Sequence, residues 1–528
     1  MKKFIKIICI SLFFLIPSGC GKHASSEKKT EAAIFFRLTE NPVTLDPCQV
    51  VDVTGGELCA KIFSGLVRYD ENLEIVPDLA REYEIQDEGR RYLFVLRDHL
   101  QFADGTPITA SDVIFSWKRV LHPKTLSPRN WVFAMIKGAS AFMKGETEEL
   151  PGLISPDEHT VIVELEKPFA PFLSLITMPA ASVVSRTYYH MNNHDMAHKP
   201  LGSGPYCFEK WDPDIRIILK PNPFYFLQTK RPCLVYKVIP EEASALAMLS
   251  TGELDIMKLP RQQTEIWKKK FSSLCFASVE ELNTYYIGFD MRKPWIDLPF
   301  RKAVASAVNI QELIESIMGG QAVPASTPVP SVLIKNITPS PAISYSNNNA
   351  REFLIQSQAK EKKLIFLAPS VKETVSISTI ILDQLKRLGL DVELKVLDWS
   401  SFKEALSKGE GDIFVLSWWA DYADPENFLF PTFYSANKGP AGNRVYYKNT
   451  KMDEALLELQ TQTNPVNRRQ ILSMILNQIH HDLPWIPLWH RVSTYAISSR
   501  IKGFTPFPLY SMDKGLNIYV NDTRSDSR

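Results

Sequence analysis

The sequence predicts an α/β protein of two or three domains, and three observations carry that prediction. At 528 residues the chain exceeds what one hydrophobic core ordinarily supports. From residue 362 onward, strand patterns alternate with helix patterns, which predicts a largely parallel sheet with ligands at the carboxyl ends of its strands. Ahead of that unit, short strands with period-two alternation and a few amphipathic helices form at least one further unit. Apolar residues make up 45% and charged residues 23%, an ordinary balance for a globular protein.

The elements follow in order. AAIFFRL (32–38) reads as the first strand, and ENPVTLDP as the turn after it. A short helical stretch at 57–64 precedes the polar turn 69–72. In RRYLFVLRDHLQF, Tyr92, Phe94 and Leu96 share one face of a strand, and ADGTP (103–107) turns the chain. TASDVIFSWKRVL opens with Thr109 and Asp112 at capping-box spacing and continues as an amphipathic helix. TVIVELEKP (160–168) is another alternating strand.

A second unit begins near Gly202, with the strand CLVYKVIP (233–240) and a helix in EEASALAMLSTGELDIM that a glycine stops. DLPFRKAVASAVNIQELIESIMGG (297–320) has helical spacing, Pro299 in its first turn and paired glycines at its end. The proline-rich QAVPASTPVPSVLIKNITPSP is extended. The later α/β unit runs strand KKLIFLAP, helix VSISTIILDQLKRLG, strand LDVELKVLD, helix SSFKEALSKGEGD, strand IFVLSWW. That last strand delivers Trp418, Trp419 and Asp421 of SWWADYADPENF (417–428) to a sheet edge, and Asp424-Pro425-Glu426 starts a helix with Asp424 as its N-cap.

Charge and composition exclude some classes. Lys+Arg (60) and Asp+Glu (59) leave a formal net charge of +1, with no block of like charge, so nucleic-acid binding is not expected. MKKFIKIICISLFFLIPSGC has a basic start, an apolar run from Ile7 to Ile16 and small residues before Cys20, the layout of an export signal. Its apolar run is shorter than the roughly 20 residues of a membrane span. The polar GKHASSEKKTEA after it reads as a tether. Cys48, Cys59, Cys207, Cys233 and Cys275 have no metal-like spacing, and their odd number forbids complete pairing within one chain. GxSxG, a phosphate-cradling GxxxxGK[ST] and HExxH are all absent from the sequence. Gly202-Ser203-Gly204 is a turn, and His480 and His481 are helix neighbours that point apart, with His490 nearby. No enzyme activity, metal or cofactor is expected.

The motifs together resemble the periplasmic oligopeptide-binding proteins of ABC importers, bacterial extracellular solute-binding protein family 5, over residues 34–520. The resemblance rests on VTLDP, IFSGLVRYDENLEIVPDLAREYEIQDEGRRYLFVLRDHLQFADGTPITASDVIFSWKRV and GSGPYCFEKWDPDIRIILKPNPFYF. It continues through STGELDIM, NTYYIGFD, LPFRKAVASAVN, LKRLGLDVELKVLDWSSFKEAL, WWADYADPENF and HHDLPWIPLW, in the family's order. It implies an α/β, bilobal periplasmic-binding-protein fold of three domains with mixed sheets and a discontinuous first domain. The pieces are a signal peptide at 1–19, a lipidated Cys20 and tether at 20–33, and the first domain at 34–69, 200–290 and 496–528. The inserted second domain is 70–199 and the third, α/β domain 291–495. Ile16-Pro17-Ser18-Gly19-Cys20 resembles a lipobox, with Pro17 where an aliphatic residue is usual. The implied partners are an oligopeptide, ABC permease subunits with separate ATPases, and the membrane through the lipid alone. A monomer in the periplasm or another extracytoplasmic space is implied.

The same resemblance assigns the site. Asp421 takes the peptide's α-ammonium, a position that a turn residue could also fill, while Trp418 and Trp419 wall a pocket beside it. Tyr285 and Tyr286 line the channel, and since strand neighbours face opposite sides only one of them points inward. Val53 and its neighbours pair with the peptide backbone as an added strand. Two positions depart from the enteric pattern: Val415 stands where some members place a carboxylate-binding arginine, and Asn283 and Trp419 stand where they place a disulfide. A family member specialised for dipeptides, murein peptides, haem or a metal chelate is the alternative.

Overall fold

The structure, a computed structural model, describes residues 33–191 and 195–521. The signal segment and Cys20 lie outside the described residues.

Two bodies share one curled sheet of twelve strands. The path runs Asp391–Leu397, Lys363–Pro369, Ile413–Trp419, Asn283–Phe289, Trp485–Ile497, Ile256–Lys258, Ala33–Leu38, Cys233–Val238, Arg216–Pro221, Tyr206–Asp212. Cys275–Glu280 and Ala322–Pro324 pair to the side of Trp485–Ile497. The expected parallel sheet is confined to three strands, since Ile413–Trp419 and Lys363–Pro369 run parallel but Asn283–Phe289 runs antiparallel to Ile413–Trp419. Asn283–Phe289 is buried along its whole length, which is why its sequence shows no two-residue alternation.

The 13-residue strand Trp485–Ile497 belongs to both bodies. Its first half pairs with Asn283–Phe289 and Ala322–Pro324, and its second half with Ile256–Lys258 and Cys275–Glu280. Asn283–Phe289, which the resemblance places in the middle piece of the first domain, thus pairs with the strands of the α/β unit.

The inserted unit has its own four-stranded antiparallel sheet, Ala80–Gln86, Arg91–Leu96, Thr160–Glu164 and Leu153–Ile154. The Ala110–Leu121 helix carries the expected capping box, with Asp112 accepting from the Thr109 amide at 3.0 Å. Its Trp117 is fully buried and stacks on Phe133 at 4.6 Å. The C-terminal segment stitches this unit to the first. Lys514 is buried against Asp78 at 3.2 Å and donates to the Phe63 carbonyl at 2.8 Å, while the Tyr225 hydroxyl donates to Asp78 at 3.1 Å. Burial lowers the Lys514 amine, and Asp78 opposes that shift. Among the described residues no helix is long and apolar enough to cross a membrane.

Candidate functional site

Asp421 sits where three pieces of chain meet. The Ile413–Trp419 strand ends two residues before it, and the Asp421 amide donates to Asn427 Oδ1 at 3.0 Å, which closes the loop onto the next helix. Asp421 Oδ1 accepts from Arg129 Nη1 of the inserted unit at 2.8 Å. Arg129 is tied to the N-terminal piece through Nε, which donates to the Val50 carbonyl at 3.3 Å. Tyr510 completes the group: burial pushes its phenol up, Arg129 opposes that, and Asp421 and Asp52 add to it. Asp52 accepts from the Gly55 amide through Oδ2 at 2.7 Å, and its buried Oδ1 has no hydrogen-bond partner among the described residues.

The Asp421 carboxylate is less enclosed than its aromatic neighbours suggest. Its side chain is 38% exposed and that of Arg129 15%. Solvent at the outer edge makes this pair comparable to surface ion pairs, which are worth about 1 kcal/mol or less. Tyr422, next to Asp421 in the sequence, turns away into the core of the inserted unit and lies near Trp131. Its hydroxyl donates to Glu426, which also accepts from Gln460 Nε2 at 2.7 Å. Burial pushes the Glu426 carboxyl up to about 7, against the lowering influence of those two donors.

Asp424 has the expected structural role, accepting from the Glu426 amide at 2.8 Å and pairing with Arg468 at 2.7 Å. Helix geometry begins one residue later than expected, and Pro425 occupies the N-cap position of Glu426–Phe433.

Trp418 and Trp419 do not form one wall, because strand neighbours face opposite ways. The Trp418 indole donates to the Asn427 carbonyl at 2.9 Å and lies 5.6 Å from the Arg444 guanidinium. Trp419 is 44% exposed, with the Arg491 guanidinium 5.2 Å from its ring. Tyr285 faces the Trp419 side. It stacks on Trp489 at 5.4 Å, and its hydroxyl donates to Glu373 at 2.7 Å. Glu373 also pairs with Arg261 at 2.6 Å and Arg491 at 3.5 Å, joining the two bodies at a second point. Tyr286 is fully buried and stacked on Trp485, so it is a core residue. Asn283 and Trp419 are direct cross-strand partners. Val415 is fully buried in the α/β core and presents nothing to a cleft.

Val53 corrects an expectation. It is exposed, but it is the first residue of the Val53–Ile62 helix, with Asp52 as N-cap. Helical backbone bonds inward and cannot add a strand. His490 is buried, with Nδ1 2.8 Å from the Asn283 carbonyl, and no cluster of three or more metal-ligating side chains occurs among the described residues. The sequence reading missed Arg129, Asp52, Glu373 and Arg491. LSPRNW has no motif, and its Asp421 partner is 292 positions away.

The family model for "Bacterial extracellular solute-binding proteins, family 5 Middle" matches residues 74–440. The chain is 27% identical to the periplasmic murein peptide-binding protein MppA of Escherichia coli K12, over 96% of each chain. It is 26% identical to the probable D,D-dipeptide-binding periplasmic protein DdpA of the same strain, over 90% of this chain and 92% of that one. Among solved structures, the unliganded open form of MppA superposes with a TM-score of 0.81 at 25% identity, covering 93% of this chain and 97% of that one.

Proposed function

Because the chain belongs to the bacterial extracellular solute-binding proteins, family 5, we propose that it captures peptides with a free α-amino group between its lobes and delivers them to an ABC permease. Separate ATPase subunits drive that permease, and the chain itself is a binding protein rather than an enzyme. Acylation of Cys20 holds it, as a monomer, at the outer face of the membrane through the tether that ends near residue 33. More than one acyl chain gives firm anchoring at about 0.8 kcal/mol per buried CH₂.

The observation that carries the reading is the Asp421 carboxylate at the three-piece junction. Oδ1 is held by Arg129, and Oδ2 has no hydrogen-bond partner among the described residues. A ligand ammonium therefore has an acceptor waiting at a fixed place. The printed functions of MppA and DdpA, murein peptide and D,D-dipeptide binding, lend the peptide class further support.

Native mass spectrometry of the protein purified from cells tests the class of ligand. Peptide masses are expected, and a haem or metal-chelate mass would refute the peptide reading. In calorimetry, Asp421→Ala is expected to weaken binding of a free-amine peptide at least tenfold with the melting transition unchanged. Equal affinity would remove Asp421 from the site.

A further inference from the structure

The Arg129–Asp421 pair has an unused atom on each side. Asp421 offers Oδ2, and Arg129 offers Nη2, which makes no hydrogen bond among the described residues while Nη1 holds Asp421 and Nε holds Val50. An acceptor and a donor of opposite charge thus stand side by side. Arginine keeps its charge at any physiological pH and presents a planar fork suited to carboxylates. Val415, which departs from the arginine that the resemblance places there in some members, is buried in the core and offers a carboxylate nothing.

We propose that Arg129 binds the ligand's carboxylate while Asp421 binds its ammonium, so that the protein selects short zwitterions of one or two residues over long peptides. The inference rests on the proposed role of Asp421 and deepens it. An extended chain advances roughly 3.3–3.6 Å per residue, so the termini of a dipeptide lie within about 7 Å and those of a hexapeptide near 20 Å. Only the short ligand can place both charges on two side chains that touch each other. Arg129 need not leave Asp421 when the ligand arrives, because each charged group of the ligand meets an unoccupied atom. The ligand then completes a ring of four alternating charges.

Calorimetry on the whole mature protein tests this with dialanine, dialanine amide, N-acetyl-dialanine and hexa-alanine. Wild type is expected to bind dialanine at least tenfold more tightly than the amide and at least tenfold more tightly than hexa-alanine. Arg129→Gln is expected to bring the acid-to-amide ratio near one, and Arg129→Lys to retain part of it. An unchanged ratio in Arg129→Gln, or hexa-alanine binding as tightly as dialanine in wild type, overturns the proposal. Melting curves establish that the variants fold. If Arg129→Gln fails to fold, the wild-type ratios alone decide. The acetylated peptide separates the two readings: if acetylation has no effect, the role of Asp421 fails, whereas if amidation alone has no effect, only the role of Arg129 fails.

Discussion

Glu426 ties the stability of the Asp421 loop to pH. The residue is 2% exposed, and burial pushes its carboxyl up to about 7 from the ordinary glutamate value of 4.5. The folded state therefore holds this proton more tightly than the unfolded chain does. A raised carboxyl contributes stability in full below about pH 4.5, and that contribution is lost as pH rises through about 7. At about 1.4 kcal/mol per pH unit, a separation of about 2.5 units is worth about 3 kcal/mol at its limit, most of it between pH 5 and pH 8. Glu426→Gln imitates the protonated form at every pH and removes the term. Urea unfolding of both proteins at the two pH values isolates it, because all other titrations cancel in the double difference. Wild type should lose about 2 to 3 kcal/mol more than the variant on going from pH 5 to pH 8. If both lose the same amount to within about 0.5 kcal/mol, the buried carboxyl does not titrate as described.

Two further outcomes follow from the packing. Lys514→Met leaves Asp78, which is fully buried, without its ammonium partner, and should cost about 3 kcal/mol in urea unfolding, as expected for breaking a buried pair. A loss below about 1 kcal/mol would mean that Arg68, 4.0 Å from Asp78, suffices. The five described cysteines are all free thiols, so a reductant should not shift the melting transition. A thiol reagent should label exposed Cys275 first and reach buried Cys48 and Cys59 only on unfolding. A shift with reductant, or early labelling of Cys48, would contradict this packing.

Much of the fold was legible because its signals are local. The Thr109–Asp112 capping box and the strand–helix order of the α/β unit each depend on residues within a few positions of one another. The sheet was legible only in part, since the direction of Asn283–Phe289 is set by partners more than a hundred residues away. The site divides in the same way. The sequence could bring Asp421 to the end of a strand, but not Arg129 to its side. It also gave no sign that Tyr422 would turn from Asp421 toward Glu426, or that Val53 would open a helix. Those outcomes depend on contacts between units, and a motif within one unit carries no record of them.

The strand Trp485–Ile497 also bears on the order in which the protein can assemble. It comes after every other strand of the twelve-stranded sheet in the chain and completes both halves of that sheet. A chain made from its N-terminus can complete the inserted unit's four-stranded sheet early, but the twelve-stranded sheet stays incomplete until this strand has appeared. Ala33–Leu38 finds Cys233–Val238 only after some two hundred residues, and Ile256–Lys258 waits for the last strand. Such distant pairings form slowly, because the loops that separate them must close first. The late strand thus holds back completion of the twelve-stranded sheet until the chain has been made through residue 497.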